Sequence, residues 1–344
     1  TLQEFANCCN EVLKLILPIK ESNNVKIQHI CYKTMRSKFK LSANLVIRAI
    51  RRVSSSMTRF KRKGGQPKQF KPTSIDYDAR IFTYRSKDES VSLTTTNGRI
   101  HVPLILGEYQ RQALKDKIPT AATVVKDKKN WFINIVIEED CGTTEETGVL
   151  GVDLGITNIA SCSTGKLISG KSRKEFKDNR AKVRSSLQSK GTKGCKKVLK
   201  RLSGYENRRI KWENHNISKQ VVQEAVNSNC GTIRMEKLTN IRKRTKTFNK
   251  HLNRMISNWS YGELQNFIEY KAAGKGIKVQ YINPAYTSQT CNKCGQLGDR
   301  SGEEFNCTTC GISHADVNAA RNIANGGVCK PSRISNCGVS YHHD

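Results

Sequence analysis

The chain has 344 residues and carries 60 Lys and Arg against 29 Asp and Glu, a formal charge of +31. That excess is far beyond what solubility needs and, spread over several segments, points to a long polyanion such as RNA or DNA as partner. No apolar run is long enough to span a bilayer, there is no signal peptide, and the 13 cysteines form no disulfide framework, which fits a reducing cytosol. The chain opens on Thr1 rather than Met, which fits a truncated N-terminus.

Residues 2 to 17 carry Leu2, Phe5, Cys9, Val12, Leu13 and Ile16 at helical spacing, and Pro18 ends the pattern. A second helix is expected from Ile27 to Phe39. A third starts behind Ser42, with Leu45, Val46, Ala49, Ile50, Val53, Met57 and Phe60 on one side. Its other side holds Arg48, Arg51, Arg52 and Arg59 and runs into Lys61, Arg62 and Lys63. Either a helical bundle has a solvated basic face here, or the bundle grips a nucleic-acid backbone; the total charge favours the second.

Gly64-Gly65-Gln66-Pro67 breaks the helical pattern, and the period then changes to two. Arg80–Arg85, Ser90–Thr95, Arg99–Leu104, Thr120–Lys126 and Trp131–Glu138 are expected strands, joined by turn signals such as Asn97-Gly98. The expectation is a small β-barrel with nothing catalytic in it, and with Trp131 in its core. Cys141 to Glu146 is a linker.

From Gly148, the stretch Val149-Leu150-Gly151-Val152-Asp153-Leu154-Gly155 is a buried strand with one acid in it, turned back by Ile156-Thr157-Asn158 into a second strand. A carboxylate inside an apolar strand is costly unless a cation meets it. Lys166 to Lys211 is intensely basic and helical in pattern, with Lys174, Lys177, Arg180 and Arg184, then Lys196, Lys197, Lys200 and Arg201; Gly191 to Gly194 marks the turn of a helical hairpin. A long helix runs on to about Ser228. Gly231 to Glu236 is a strand ending in a carboxylate, Thr239 to Lys250 a basic loop, Trp259 to Ala273 an amphipathic helix, and Ile277 to Tyr281 a further strand.

Cys291-x-x-Cys294 and Cys307-x-x-Cys310 then form a double pair with a short polar spacer, the pattern of a four-thiolate structural zinc ribbon. Gly295 and Gly311 follow the second Cys of each pair, where close backbone approach favours a residue without Cβ. Four Cys complete a tetrahedral shell, so neighbouring His314 is given no metal role. Directly after the ribbon, Asp316 opens a helix that also carries Arg321; this arginine is either a contact for substrate phosphate or a plain surface residue. Beyond Asn325 the tail shows no pattern and is expected to be disordered.

Asp153, Glu236 and Asp316 stand at a strand, a strand end and a helix start, so one sheet edge can gather them. Carboxylates held close favour a divalent cation with hard oxygen ligands such as Mg2+, and two such ions can hydrolyse a phosphodiester. The Gly151 to Asn158 stretch alone equally fits the phosphate hairpin of actin-like ATPases; the ribbon, the charge and the lack of a second glycine-rich phosphate loop favour a nuclease.

Gly-Val-Asp153-Leu-Gly, Arg-Met-Glu236-Lys-Leu, the ribbon from Thr287 and His-Ala-Asp316-Val-Asn-Ala-Ala-Arg-Asn together resemble the TnpB family of IS200/IS605-type transposons, over roughly Ser42 to Ala324. Lys71 to Tyr77 and Gln188 to Lys193 resemble one branch of it. The resemblance implies an RNA-guided DNA endonuclease related to the Cas12 effectors of CRISPR systems, with a guide RNA and double-stranded target DNA as partners, acting as a monomer on its RNA in the prokaryotic cytoplasm at the nucleoid. It implies a multidomain α+β and α/β architecture: a helical recognition lobe (1–65), a wedge-type β-barrel (66–140), and a ribonuclease-H-like RuvC domain (148–286) with a basic helical insertion at about 171–229. The zinc ribbon (287–311), the last RuvC helix (312–325) and the tail (326–344) complete it. By the same resemblance Asp153, Glu236 and Asp316 are the catalytic acids holding Mg2+, with Mn2+ able to substitute, and Cys291, Cys294, Cys307 and Cys310 hold Zn2+. Arg48, Arg51, Arg52, Lys61, Arg62, Lys63, Lys174, Arg180, Lys196 and Arg321 are the candidate nucleic-acid contacts. A compact CRISPR effector of the same architecture and a guided repressor without cleavage remain as alternatives.

Overall fold

A computed structural model describes residues 1–65, 67–128, 130–238, 253 and 259–327. The basic loop expected at Thr239 to Lys250, and the tail beyond residue 327, lie outside the described residues. The chain divides into two compact units, Thr1–Asp140 and Cys141–Asp344.

The first unit opens with three helices, α1 (Leu2–Ile16), α2 (Asn24–Lys38) and α3 (Ala43–Lys63). Helix α2 starts three residues before the apolar stripe suggests, because the Asn23 side chain accepts from the backbone N–H groups of Val25 and Lys26. Ser42 caps α3 in the same way through the N–H of Leu45. The apolar faces meet in one core that includes Phe5, Val12, Ile16, Ile27, Met35, Leu45, Ile50 and Met57.

Six strands follow: β1 (Ser74–Asp78), β2 (Phe82–Arg85), β3 (Ser90–Thr95), β4 (Gly98–Pro103), β5 (Pro119–Asp127) and β6 (Asn130–Ile137), with a short helix α4 (Glu108–Leu114) before β5. Hydrogen bonds join them in two antiparallel sheets of three, β1-β5-β6 and β2-β3-β4, rather than one closed ladder. Ile75, Tyr77, Phe82, Val91 and Ala122 belong to the same core as the helices, so helices and strands form one body. Trp131, expected in that core, is 56% exposed, because it stands on the outer strand β6 with Lys126 Nζ 5.4 Å from its ring centre.

The second unit has a five-stranded mixed sheet. Its strands are β7 (Gly148–Asp153), β8 (Asn158–Cys162), β9 (Leu167–Ser169), β10 (Cys230–Glu236) and β11 (Lys278–Ile282), in the order β11-β10-β7-β8-β9. Strand β10 runs parallel to both β7 and β11, while β7-β8 and β8-β9 are antiparallel. Between β9 and β10 lies the helical hairpin α5 (Lys171–Lys190) and α6 (Lys193–Asn227). Gly191, at φ 63°, ends α5 in the left-handed conformation, and Thr192 caps α6 through the N–H of Cys195.

Helix α7 (Tyr261–Ala273) and the C-terminal part of α6 cover one face of the sheet, where Leu150, Val152, Ile233 and Met235 meet Val221, Leu264 and Ile268. The last helix, α8 (Ala315–Ala324), lies against the opposite face. It reaches β7 because Gly151 has no side chain: a Cβ there would stand 1.9 Å from the carbonyl oxygen of Ala320. A small sheet, β12 (Asp299–Ser301), β13 (Glu304–Cys307) and β14 (Gly311–His314), sits between β11 and α8. No described helix is long and apolar enough to cross a membrane.

Candidate functional site

Strand alternation decides where the acids point. Leu150 and Val152 face the α6/α7 core, so Val149, Gly151 and Asp153 face α8. Arg234 pairs with Gly151 and Met235 with Val152, so Glu236 falls beside Asp153 at the carboxyl ends of two parallel neighbours. Arg234 confirms the facing: its Nη1 donates to the Ala324 carbonyl of α8 at 2.6 Å. Asp316 lies in the first turn of α8, one residue inside the helix and close to its N-terminal dipole. Asp153, Glu236 and Asp316 line one cavity of 340 Å³ together with Asn158, Trp259, Thr287 and Arg300.

Each acid has a defined environment. Burial pushes the Asp153 carboxyl up to about 7, and the nearby Glu236 and Asp316 add to the effect, while Arg300 opposes it. Burial also raises Glu236, partly offset by the Thr287 hydroxyl, which donates to its Oε1. Both oxygens of Asp316 are engaged: Oδ1 accepts from Arg300 Nη2 at 2.6 Å and Oδ2 from Asn158 Nδ2 at 2.8 Å. The cavity therefore concentrates negative charge that one arginine answers only in part. Hard oxygen donors around uncompensated charge fit a divalent cation of the Mg2+ type. For Asp316 to serve such a cation, Arg300 must give up its place.

The four cysteines bring their sulfurs within 4.8 Å of one another, and among the described residues this is the only such cluster of metal-ligating atoms. A tetrahedral zinc thiolate site needs sulfurs about 3.8 Å apart, so the donor set could take zinc. Gly295 and Gly311, at φ 74° and 77°, turn the chain after each pair. The Cys310 N–H donates to Cys307 Sγ and pulls that thiol down to about 7, towards the thiolate a metal requires. His314 is not part of the cluster.

Ribbon and acids are one construction. Asn318 and Asn322, one turn apart on α8, donate to the Thr290 carbonyl, and Asn322 also to that of Thr287. Asn318 Oδ1 accepts from the N–H of Asn292. Thr287 and Arg300 thus reach the acids from the ribbon segment. Thr287 and Asn158 stand inside the sequence motifs; Arg300 has no local signal, since its meaning depends on β12 folding back beside α8.

The candidate nucleic-acid contacts divide. Arg52 is bound to Asp76 at 2.7 Å and to the Ser74 carbonyl, and Arg48 pairs with Asp78 at 3.1 Å, so both tie α3 to β1. Arg51, Lys61, Arg62, Lys63, Lys174 and Lys196 are exposed. Arg180 lies between the Phe176 and Tyr205 rings, 5.3 Å from each centre. Arg321 donates to the Ser163 carbonyl at 3.3 Å and is not among the residues lining the acidic cavity.

Residues 261–323 match the family described as Cas12f1-like, TNB domain, and residues 120–242 the family described as probable transposase of the OrfB/IS605 type. In these two segments the chain is similar to proteins of the TnpB and Cas12f type. Among relatives, the CRISPR-associated endodeoxyribonuclease Cas12f1 of Sulfoacidibacillus thermotolerans is 34% identical over 244 residues, covering 64% of this chain and 54% of that protein. A TnpB-like protein of Methanocaldococcus jannaschii is 37% identical over 150 residues, 43% of this chain and 53% of that one. A putative RNA-guided DNA endonuclease of Streptomyces pristinaespiralis is 27% identical over 298 residues, 81% and 70% of the two chains. This chain spans about half the length of the first two. A cryo-EM structure of a Cas12f1–sgRNA–target DNA complex shares the fold, with a TM-score of 0.65 at 19% identity, over 94% of this chain and 80% of that one.

Proposed function

We propose that this protein is an RNA-guided DNA endonuclease of transposon origin that cuts target DNA beside a short adjacent motif. In this reading the second unit is a RuvC-like nuclease domain carrying an inserted zinc ribbon, and the first unit combines a helical recognition part with a wedge-type β part that holds the RNA scaffold. The observation that carries it is the register match of Asp153 with Glu236 on parallel strands, with Asp316 facing them from α8.

Asp153, Glu236 and Asp316 would hold Mg2+, which when bound supplies activation of water and stabilisation of the leaving oxygen of a phosphodiester. Asn158 and Thr287 orient two of the three acids. Arg300, released from Asp316, is placed to meet the non-bridging oxygens of the scissile phosphate and to neutralise charge that grows in the transition state. Pairing with the guide supplies sequence specificity, while the basic surfaces hold backbone.

The test is to express the chain with its native flanking DNA, sequence the RNA that co-purifies, and assay cleavage of a matching target with Mg2+. One RNA species with a fixed scaffold and a guide segment, and cutting that Asp153→Ala abolishes without loss of RNA binding, is expected. RNA absent from the purified protein sinks the guided reading. The identity to a Cas12f1 protein gives the second reading, a compact CRISPR effector; a repeat-derived RNA would select it. Cleavage absent with the acids intact would select a guided repressor.

A further inference from the structure

Glu236 is held at both ends. Its carboxylate accepts from the Thr287 hydroxyl, which comes from the ribbon segment. Its backbone carbonyl accepts from Gln265 Nε2 of α7 at 2.9 Å. The ladder between β10 and β7 ends at the Met235–Val152 pair, one residue short of Glu236, so the strand register does not hold this residue in place. Gln265 is buried on a helix whose other inward positions, Leu264, Ile268 and Ala272, are apolar. An amide survives in such a place only when it is hydrogen-bonded.

The helix that carries Gln265 is itself locked. Asn214 of α6 is fully buried. Its Oδ1 accepts from Arg173 Nη2 of α5 at 2.8 Å, and its Nδ2 donates to Ser260 Oγ at 3.0 Å and to Glu263 Oε2 at 2.7 Å, at the start of α7. Arginine only donates and a carboxylate only accepts, so the Asn214 amide can stand only one way round. Arg173 is also paired with Glu213 at 2.8 Å, with both side chains largely buried. Removing one member of this network would strand a buried polar or charged group, which holds the start of α7 in one place. Neither Gln265 nor Asn214 lines the cavity of the three acids.

We propose that Gln265 is a positioning residue for the nuclease reaction. It fixes the backbone of Glu236, and with it the reach of that carboxylate into the cavity, while Asn214 fixes the helix that carries Gln265. The inference rests on the nuclease reading.

The test uses the zinc-loaded full chain and has two readouts, both taken well below the melting temperature. The first is Mn2+ affinity of the protein without nucleic acid, followed by the EPR signal of free Mn2+, with Asp153→Ala marking the binding that belongs to the acids. The second is Mg2+-dependent cleavage by the protein with its RNA. Gln265→Met keeps the length of the side chain and removes the donor. It should raise the Kd for Mn2+ and lower kcat, each about tenfold, with KM for DNA unchanged; tenfold is about 1.4 kcal/mol, within the cost of one buried carbonyl left without its donor. Gln265→His, whose Nε2–H can reach the same carbonyl, should restore most of both. Asn214→Asp keeps the acceptor for Arg173 but sets a carboxylate against Glu263, and should move both readouts in the same direction. Exposed Asn266 on the same helix is the control, and Asn266→Ala should change neither. A Gln265→Met protein that melts earlier but binds Mn2+ and cuts as the wild type does overturns the inference and leaves a working nuclease. A wild type that never cuts, with Mn2+ affinity that still falls in Gln265→Met and returns in Gln265→His, supports the positioning role and removes the nuclease reading instead.

Discussion

Gly151→Ala is a small change with a large expected effect. The added Cβ would lie 1.9 Å from the Ala320 carbonyl oxygen, 2.5 Å from the Ala324 backbone nitrogen and 2.9 Å from the Ala324 Cβ. Real Cβ atoms keep at least 3.0 Å, so α8 must retreat from β7 by about 1.1 Å along the shortest contact. Backbone cannot swing aside as a flexible side chain can. Overpacking of this kind costs about 1–3 kcal/mol, a fall in Tm of roughly 2–12 °C for a unit of this size. The same shift carries Asp316 away from Asp153 and Glu236, and a misplacement of about 1 Å can cost about 100-fold in rate. Gly262→Ala is the control: it has open space and ordinary φ at the start of α7, and should be neutral or stabilising by about 0.4–1 kcal/mol. Thermal melts and metal-dependent cleavage of both variants decide the matter. A Gly151→Ala protein with unchanged Tm and undiminished cutting would refute the close packing of α8 on β7 as the device that sets the third acid.

Three further outcomes are expected. The folded-state pKa of Asp153, about 7, lies above the ordinary value of about 3.9, so the metal-free folded protein keeps a proton that the unfolded chain has released. Its contribution to stability is present below about pH 4 and lost as pH rises through 7; melts in Mg2+-free buffer should show Asp153→Asn gaining on the wild type by a few kcal/mol between pH 5 and 8, whereas a constant difference contradicts the raised carboxyl. Arg300→Gln should lower kcat about 100-fold with KM little changed if its guanidinium meets the growing charge, and equal activity would leave it a purely structural partner of Asp316. Cys307→Ser should abolish zinc retention, measured by colorimetric release, and with it the cutting activity, because zinc binding energies of about 10–16 kcal/mol are folding energy in such modules; full cleavage by zinc-free protein would separate ribbon from acids.

What the sequence shows best is whatever a short window contains. The stripes of α1 to α3, the start of α3 behind Ser42, the hairpin turn at Gly191, and the two Cys pairs are all local patterns, and the structure places them within a few residues of their expected bounds. The three acids were visible as acids in unusual settings, but their meeting depends on strand register and on the glycine at 151. Missed elements are those fixed from a distance. Strand β9 is only three residues inside a basic stretch and exists because β8 pairs with it, and β1 is held by β5 and by arginines of α3. Arg48 and Arg52 look like a free basic face in the helical pattern because their partners, Asp78 and Asp76, stand on that strand. Trp131 illustrates the converse: alternation puts it on one side of β6, and only the sheet pairing shows that side to be open.

The order in which the cavity acquires its groups has a consequence for synthesis. Asp153 and Glu236 emerge from the ribosome well before Thr287, Arg300 and Asp316, and those last three are brought in by the ribbon segment and the helix directly behind it. A nascent chain, or one starved of zinc, would hold two buried acids with neither their arginine nor their third member. Under the proposed function, cutting competence then arises only at the end of translation and only after zinc is captured, so premature termination anywhere upstream of α8 yields a basic nucleic-acid-binding fragment that cannot damage the genome encoding it.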